Sequence, residues 1–153
     1  MGRVSEFFLF HDVRLKIDMK KVGYEIDDFD ASLNTDTEYE MGNMGHRPGI
    51  KGGYGPVPPV DDAQDIRSEM LSTMKRIGMK VDKHHHEVAS CQHELGLIFG
   101  SLTEQADHLQ KYKYVNHQLA HAYGKTATIM PKPIAGDNVT GMHVIMSIWK
   151  DDK

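Results

Sequence analysis

The sequence predicts an α+β fold in which a mostly antiparallel sheet packs against two flanking helices. Three observations lead to this prediction. Short apolar segments with strand-like composition occur near both ends and in the middle of the chain. Two longer segments place apolar residues at the three- and four-residue spacing of an amphipathic helix. Strands and helices alternate irregularly, which is typical of α+β folds rather than of repeated βαβ units.

The first half of the chain contains one clear strand and two irregular stretches. Residues 6–13, with the sequence EFFLFHDV, predict a buried strand. Residues 18–39 are polar and acidic with little periodicity, and we expect them to form a surface excursion. Residues 46–59 are dense in glycine and proline, which disfavour regular structure, and predict a loop.

A helical pattern follows this loop. Its apolar positions are Ala63, Ile66, Met70, Met74 and Ile77. Asp61 or Asp62 is the expected N-cap, because an aspartate oxygen can accept a hydrogen bond from a free backbone N–H of the first turn. Gly78 is the expected end of the helix.

The second half of the chain predicts two strands, a long helix and two final strands. The first two strands cover residues 79–89 and 93–99. The helix begins at a capping box formed by Ser101 and Glu104, and Gly124 suits its end. The final strands cover residues 126–130 and 142–149.

Composition excludes several classes of function. The formal net charge is −4 and no basic stripe is present, which excludes nucleic-acid binding. No apolar run approaches the roughly 20 residues of a membrane span, so no membrane contact is expected. The chain has a single cysteine, Cys91, which cannot form an internal disulfide and favours a cytoplasmic location.

Residues 83–94, KHHHEVASCQHE, form the most informative segment. If Ser90 and Cys91 make a two-residue hairpin turn, Glu87 lies directly opposite Glu94. Two opposed carboxylates repel each other unless a cation lies between them, and hard cations such as Mg²⁺ prefer oxygen ligands. The alternatives are that one carboxyl group keeps its proton, or that both glutamates are simply solvated on an exposed hairpin.

The histidines near this segment have structural as well as functional interpretations. Alternate strand residues face opposite sides, so His85 shares a face with Glu87 while His84 and His86 share the other. A zinc site is not indicated, since one cysteine gives no zinc-binding spacing. Glu6, inside an apolar strand, requires a partner or a metal ion. His143 begins another strand and is either a ligand or a structural residue.

Several motifs together resemble type I (bacterial-type) glutamine synthetase. They occur in family order along essentially the whole chain, and the most specific are GHRPGIKGGY, HHHEVA and KTATIMPKP. The resemblance implies that residues 1–153 are part of the catalytic domain, with a sheet curved into an open half-barrel. The N-terminal domain and the C-terminal part of the catalytic domain would be absent. In the family, active sites form between the subunits of a dodecamer.

The resemblance also implies a reaction and site residues. The reaction joins glutamate and ammonia at the expense of ATP, through γ-glutamyl phosphate, with two Mg²⁺ or Mn²⁺ ions per site. The implied metal ligands are Glu6, Glu87, Glu94 and His143. The implied nucleotide contacts are Asp82, Phe99 and Ser147, and the glutamate-binding loop would contain Asn138 and Val139. Tyr54 and Glu87 would lie by the ammonium pocket.

The chain departs from the family pattern at five positions. Val4 stands where the family has a metal-binding Glu, and Val139 stands where it has a Gly. Ile145 replaces a nucleotide-contacting His. Gly55 replaces a Phe, and His11 replaces an Asp. Because further family ligands lie outside the sequence, we expect the 153-residue chain to be inactive by itself. The alternative to an enzyme fragment is a decayed, non-catalytic relative or a metal-binding module.

Overall fold

The computed structural model describes residues 1–31, 33 and 45–150. These residues contain seven strands and two α-helices. The strands are β1 (Gly2–Phe10), β2 (Asp12–Ile17), β3 (Val22–Asp27), β4 (Val81–His86), β5 (Gln92–Leu97), β6 (Thr126–Thr128) and β7 (Met142–Ile145), and the helices are α1 (Gln64–Arg76) and α2 (Leu102–Ala122).

Strand β1 is the centre of an open, antiparallel sheet. Strand β5 pairs with one edge of β1, and β4 pairs with the far side of β5. The other edge of β1 pairs with β7 along its first half and with β6 along its second half. Strands β2 and β3 form a separate two-stranded sheet. The predicted α+β class and open antiparallel sheet are therefore confirmed, and residues 46–59 contain neither strand nor helix.

The alternation of side chains along β1 divides the interior into two parts. Phe7 and Leu9 point toward the helices and join the main core with residues such as Met70 and Tyr112. Phe8 and Phe10 point the other way, into a second cluster under the β4–β5 turn. Glu6 shares the face of Phe8 because successive strand residues alternate. The face away from the helices therefore carries the candidate site.

The helices confirm the predicted spans but not every predicted cap. On α2, the Ser101 hydroxyl accepts a hydrogen bond from the backbone N–H of Glu104, as the capping box predicts. On α1 the N-cap is Ala63, which has no capping side chain, so the prediction of Asp61 or Asp62 is wrong. Asp61 instead forms a buried ion pair with Arg67, and this pairing removes its carboxylate from the helix end. No helix among the described residues has the length and apolar character needed to cross a membrane.

The β2–β3 hairpin is the main element that the sequence did not predict. Residues 18–39 were expected to be irregular, but Val22–Asp27 form a strand paired with Asp12–Ile17. Apolar residues alternate with polar ones along both strands, but most of the side chains are exposed. The turn is closed by the Asp18 carboxylate, which accepts hydrogen bonds from two backbone N–H groups. Positions 32 and 34–39 of the predicted excursion lie outside the described residues.

All four strands predicted after the first helix are shorter in the structure, and β4 and β7 differ most from the prediction. Strand β4 ends at His86 rather than at Ala89, because the chain turns over residues 88–91 with Cys91 at a φ of 61°. Strand β7 ends at Ile145, so Ser147 and Trp149 lie beyond it. These two side chains are exposed and bond to each other, with Trp149 Nε1 donating to Ser147 Oγ at 2.7 Å.

Candidate metal and nucleotide site

Three acidic side chains and one histidine meet on the open face of the sheet. Glu6 lies directly opposite Glu94 in the β1–β5 register, and His85 lies opposite Glu94 in the β4–β5 register. Glu87 follows β4 directly, and its backbone N–H donates to the Gln92 carbonyl at 2.7 Å. The antiparallel registers of three strands thus place side chains from distant positions on one surface.

The predicted opposition of Glu87 and Glu94 is wrong by two residues. Glu94 pairs with His85, and Glu87 is held against Gln92. The prediction assumed a two-residue turn at Ser90 and Cys91, whereas four residues, 88–91, separate Glu87 from Gln92. Because the shift is even, every side chain keeps its predicted face. The opposed carboxylate pair is instead Glu6 and Glu94.

His85, Glu87 and Glu94 form a compact group of potential ligands. His85 Nε2 lies 2.8 Å from Glu87 Oε1 and 3.6 Å from Glu94 Oε1. One ligand atom from each residue lies within 4.8 Å of the other two. The second oxygen of Glu87 accepts the backbone N–H of Val88 at 3.0 Å, which fixes the carboxylate orientation.

Glu6 is fixed by a second set of contacts. Its Oε2 accepts hydrogen bonds from Gln92 Nε2 at 2.7 Å and from the Gly141 backbone N–H at 2.6 Å. Its Oε1 faces His143 Nε2 at 3.5 Å. Glu6 therefore keeps one oxygen directed toward His143 while the other is satisfied by the protein.

Gln92 connects the strands to the loop before β7. Its side-chain Nε2 also donates to the Val139 carbonyl at 2.9 Å. Its side-chain Oε1 accepts a hydrogen bond from the Ala89 N–H at 3.0 Å. Gln92 is fully buried, so these bonds have no competition from water. The role of this residue was not predicted, because the burial of the largely polar strand β5 is seen only in the structure.

A cleft of about 510 Å³ opens beside these residues. The predicted site residues that line it are Glu6, Glu87, Asn138, Val139 and His143. Lys51 and Lys132 also line the cleft, and neither was singled out from the sequence. Because lysines and carboxylates line the same cleft, it is suitable for an anion bridged to the carboxylates by a cation.

The electrostatics of Glu94 favour a cation. Burial raises the pKa of the Glu94 carboxyl above its ordinary value, and the carboxylates of Glu87 and Glu6 add to this rise against the opposing effect of His85. A buried carboxylate among like charges is costly in its ionised form. A divalent cation would remove that cost, and the oxygen-rich donor set is the kind that Mg²⁺ and Mn²⁺ take. The residues present therefore fit a divalent metal ion.

The other two histidines of the run face away from this group, as predicted. His84 Nε2 lies 3.0 Å from Ser68 Oγ, and its Nδ1 accepts from Arg67 at 3.3 Å. His86 is fully buried, with Nε2 at 2.5 Å from Asp30 Oδ2. Burial opposes protonation of His86, but its bond to Asp30 leaves its pKa raised overall.

Arg67 supports the hairpin from the helix side. It forms two hydrogen bonds with Asp61, and its Nη1 lies 3.0 Å from His93 Nδ1. Burial lowers the pKa of His93 well below the ordinary value, so the neutral ring accepts this bond. Arg67 therefore contacts His84 and His93. In the sequence, these residues come directly before the candidate ligands His85 and Glu94. Arg67 thereby helps to position β4 and β5.

The loop carrying Tyr54 is attached to the same hairpin. Gly53 donates its N–H to the Val88 carbonyl at 3.0 Å, and a Cβ atom at Gly53 would lie 2.6 Å from the Glu87 carbonyl oxygen. Gly55, which stands where the family has Phe, has a φ of 64° and donates to the His86 carbonyl. The Tyr54 ring lies 5.5 Å from the His85 ring. Close backbone approach thus holds Tyr54 beside the candidate ligands.

The three predicted nucleotide contacts lie away from the cleft lining. Asp82 is exposed and its Oδ2 would lie 3.6 Å from a Cβ at Gly96, on the site face. Phe99 is 47% exposed and covers Gly2 at the end of β1. Ser147 is exposed beyond β7. All three lie toward the end of the sheet at which β1 begins.

The positions that depart from the family pattern have defined surroundings. Val4 lies directly opposite His143, and Ile145 lies opposite Gly2. Val139 lines the cleft without a positive φ, since the non-glycine residues with positive φ in the described ranges are Lys51 and Cys91. His11 Nδ1 lies 2.8 Å from Asp28 Oδ2, and its Nε2 lies 2.6 Å from Lys125 Nζ.

Comparison with known proteins gives a consistent result. The family model described as glutamine synthetase, catalytic domain, matches residues 1–153. Glutamine synthetase of Rhodobacter capsulatus is 70% identical over 152 residues, which cover 99% of this chain and 35% of that protein. Glutamine synthetase of Cereibacter sphaeroides is 67% identical over 150 residues, covering 98% and 32%. The chain thus spans about a third of the length of the curated relatives it matches.

A solved structure agrees with the sequence relatives. The cryo-electron microscopy structure of Plasmodium falciparum glutamine synthetase superimposes with a TM-score of 0.87 at 29% identity. The match covers 99% of this chain and 30% of that protein. The sheet and helices described above therefore have the arrangement found in part of that structure.

Proposed function

Because the chain belongs to the glutamine synthetase catalytic-domain family, we propose that it is part of a glutamate–ammonia ligase. Its contribution is one wall of the active site, which holds divalent metal ions and ATP. The observation that carries this proposal is the convergence of Glu6, His85, Glu87 and Glu94 on one face beside a cleft that two lysines line.

Glu6, Glu87 and Glu94 would hold one ion, and His143 would help to hold a second. When bound, the ions would neutralise the phosphate oxygens of ATP during phosphoryl transfer to glutamate. The side chains of this chain supply orientation: Val88 N–H fixes Glu87, and Gln92 fixes Glu6. Transfer of this kind depends on positioning and charge neutralisation rather than on covalent catalysis by the protein.

The substrates would be arranged along the cleft. We assign Asn138 and Val139 to glutamate, which places the amino acid next to Glu6 and Lys132. We assign Tyr54 and Glu87 to ammonia, because the Glu87 carboxylate can bind an ammonium ion and accept its proton. Asp82, Phe99 and Ser147 would contact the nucleotide, at the outer end of the same face.

Further properties of the family belong to this proposal. The first is assembly into a homo-oligomer. The second is a cytoplasmic location, which agrees with the buried and unpaired Cys91. Turnover is expected of the full-length protein and not of these 153 residues alone. No finding favours the alternative of a decayed or purely metal-binding relative.

Metal-dependent nucleotide binding tests the proposal. Calorimetry of the purified chain with ATP is expected to show binding with Mg²⁺ or Mn²⁺ present, and at least tenfold weaker binding in Glu87→Gln. Asp107→Asn, which changes an exposed acid on α2, is the matched control and is expected to bind like the wild type. ATP binding that is independent of metal, or equal in both variants, would contradict the proposed role.

A further inference from the structure

We propose that His117 and His121 on helix α2 form a transition-metal site of their own, separate from the carboxylates on the open face of the sheet. Helix α2 packs on the opposite face, where its Tyr112 joins the main core. The ligand class is a divalent ion that favours imidazole, such as Ni²⁺, Cu²⁺ or Zn²⁺, with water completing its coordination shell. The site is independent of the proposed function.

The two histidines lie on the same side of the helix. Helix α2 spans Leu102–Ala122, so both positions are inside it. Side chains four positions apart on an α-helix are neighbours, with Cβ atoms about 5 to 6 Å apart. Two histidines at this spacing are the metal-binding pair of the H-E-x-x-H helix motif. His117 and His121 can therefore donate one nitrogen each to a single ion.

Both imidazoles are available to a ligand. His117 and His121 are exposed, and within the described part of the chain neither side chain takes part in a hydrogen bond or an ion pair. His84 and His86, in contrast, are held by other side chains. A metal ion bound by the helix pair would therefore break no existing contact.

The backbone that carries the pair is fixed. Asn116 and Ala120, which directly precede the two histidines, are fully buried and anchor this part of α2 to the core. The Gly124 N–H donates to the His121 carbonyl at 3.0 Å and closes the helix end. Binding would thus order only two side chains, which keeps its entropic cost small. The C-terminal end of a helix also carries a partial negative charge, which favours a cation there.

The donor set decides which metals the site prefers. Imidazole is a good ligand for Ni²⁺, Cu²⁺ and Zn²⁺, whereas Mg²⁺ takes oxygen ligands. Neither histidine belongs to a group of three potential ligands among the described residues. Two protein ligands are fewer than the four of a structural zinc site. The pair should therefore bind an exchangeable ion for which Mg²⁺ does not compete.

Calorimetry of the 153-residue chain with Ni²⁺, in excess Mg²⁺ to occupy the open-face carboxylates, measures this binding. The dissociation constant should rise on the order of tenfold in His117→Gln and in His121→Gln, because one imidazole lacks the gain from a second, intramolecular bond. Glu87→Gln should leave Ni²⁺ binding at the helix unchanged. The matched control combines His121→Gln with Gln118→His. It keeps the amino-acid composition but places the histidines at adjacent positions, which do not face each other, so it should bind as weakly as His121→Gln.

Protection from diethylpyrocarbonate, mapped by mass spectrometry, tests the assignment without any substitution. Ni²⁺ should protect both His117 and His121 in the wild type. Protection of only one of them, or of neither, would overturn the proposed chelate. Equal Ni²⁺ affinity in the wild type and in His121→Gln would overturn it as well. None of these outcomes bears on the proposed function, whose test is metal-dependent binding of ATP.

Discussion

Substitution of Arg67 by Met should destabilise the protein by about 3 to 5 kcal/mol, the usual cost of removing one partner from a buried ion pair. Arg67 is 1% exposed and Asp61 is 4% exposed, so the remaining carboxylate would stay away from water. His93 would lose the donor to its Nδ1 as well. For a chain of this size, each kcal/mol lowers the melting temperature by about 2 to 4 °C. A decrease of roughly 10 °C is therefore expected.

Urea unfolding followed by circular dichroism measures this effect. Arg76→Met is the matched control, because Arg76 lies on the same helix with an exposed side chain bonded to Thr73. Its free energy of unfolding should change by less than about 0.5 kcal/mol. The double variant Asp61→Leu with Arg67→Met should recover most of the loss, because no charge is then left buried. A loss below 1 kcal/mol in Arg67→Met, or no recovery in the double variant, would refute the reasoning.

Two further predictions concern the site. Without divalent cations, Glu94→Gln should stabilise the fold near neutral pH by about 0.2 to 1 kcal/mol, the size of a cross-strand charge pair. Because the pKa of Glu94 is raised, the contribution of Glu94 to stability is greatest below the ordinary value of 4.5 and is lost as pH rises through the folded-state pKa. The gain should therefore vanish in acid, and a pH-independent gain in denaturant titrations would be inconsistent with this cause. Gly53→Ala should lower the melting temperature and weaken Mn²⁺ binding, since its Cβ would meet the Glu87 carbonyl oxygen at 2.6 Å. Gly49→Ala, where a Cβ meets nothing within 4 Å, should behave as wild type in the same melting and calorimetric measurements, and equal effects of the two would exclude this explanation.

The sequence predicted those elements whose pattern reflects burial. Residues 7–10 are continuously apolar and lie in the central strand, and the capping box at Ser101 marks the start of α2. The β2–β3 hairpin was missed although apolar residues alternate with polar ones along both strands, because the polar and acidic composition of residues 18–39 favoured an irregular excursion. It depends on the Asp18 turn and on backbone pairing, neither of which has a strong composition signal.

The candidate site was predicted in composition but not in pairing. The faces of His85, Glu87 and Glu94 follow from the two-residue period of strands and were correct. The register depends on turn length, which Ser90 and Cys91 did not reveal. Contacts such as Arg67 with His93 join residues from different elements, and no local pattern in one sequence predicts them.

The central position of β1 has a consequence for synthesis of the protein on the ribosome. Glu6 precedes its partner Gln92 by 86 residues and Gly141 by 135 residues. At translation rates of about 5 to 20 residues per second, the first partner strand is completed roughly 4 to 17 seconds after β1. During that interval Phe7, Phe8 and Leu9 emerge before the strands that will cover them. The nascent chain must therefore keep its most apolar segment from aggregating until β5 and β7 arrive.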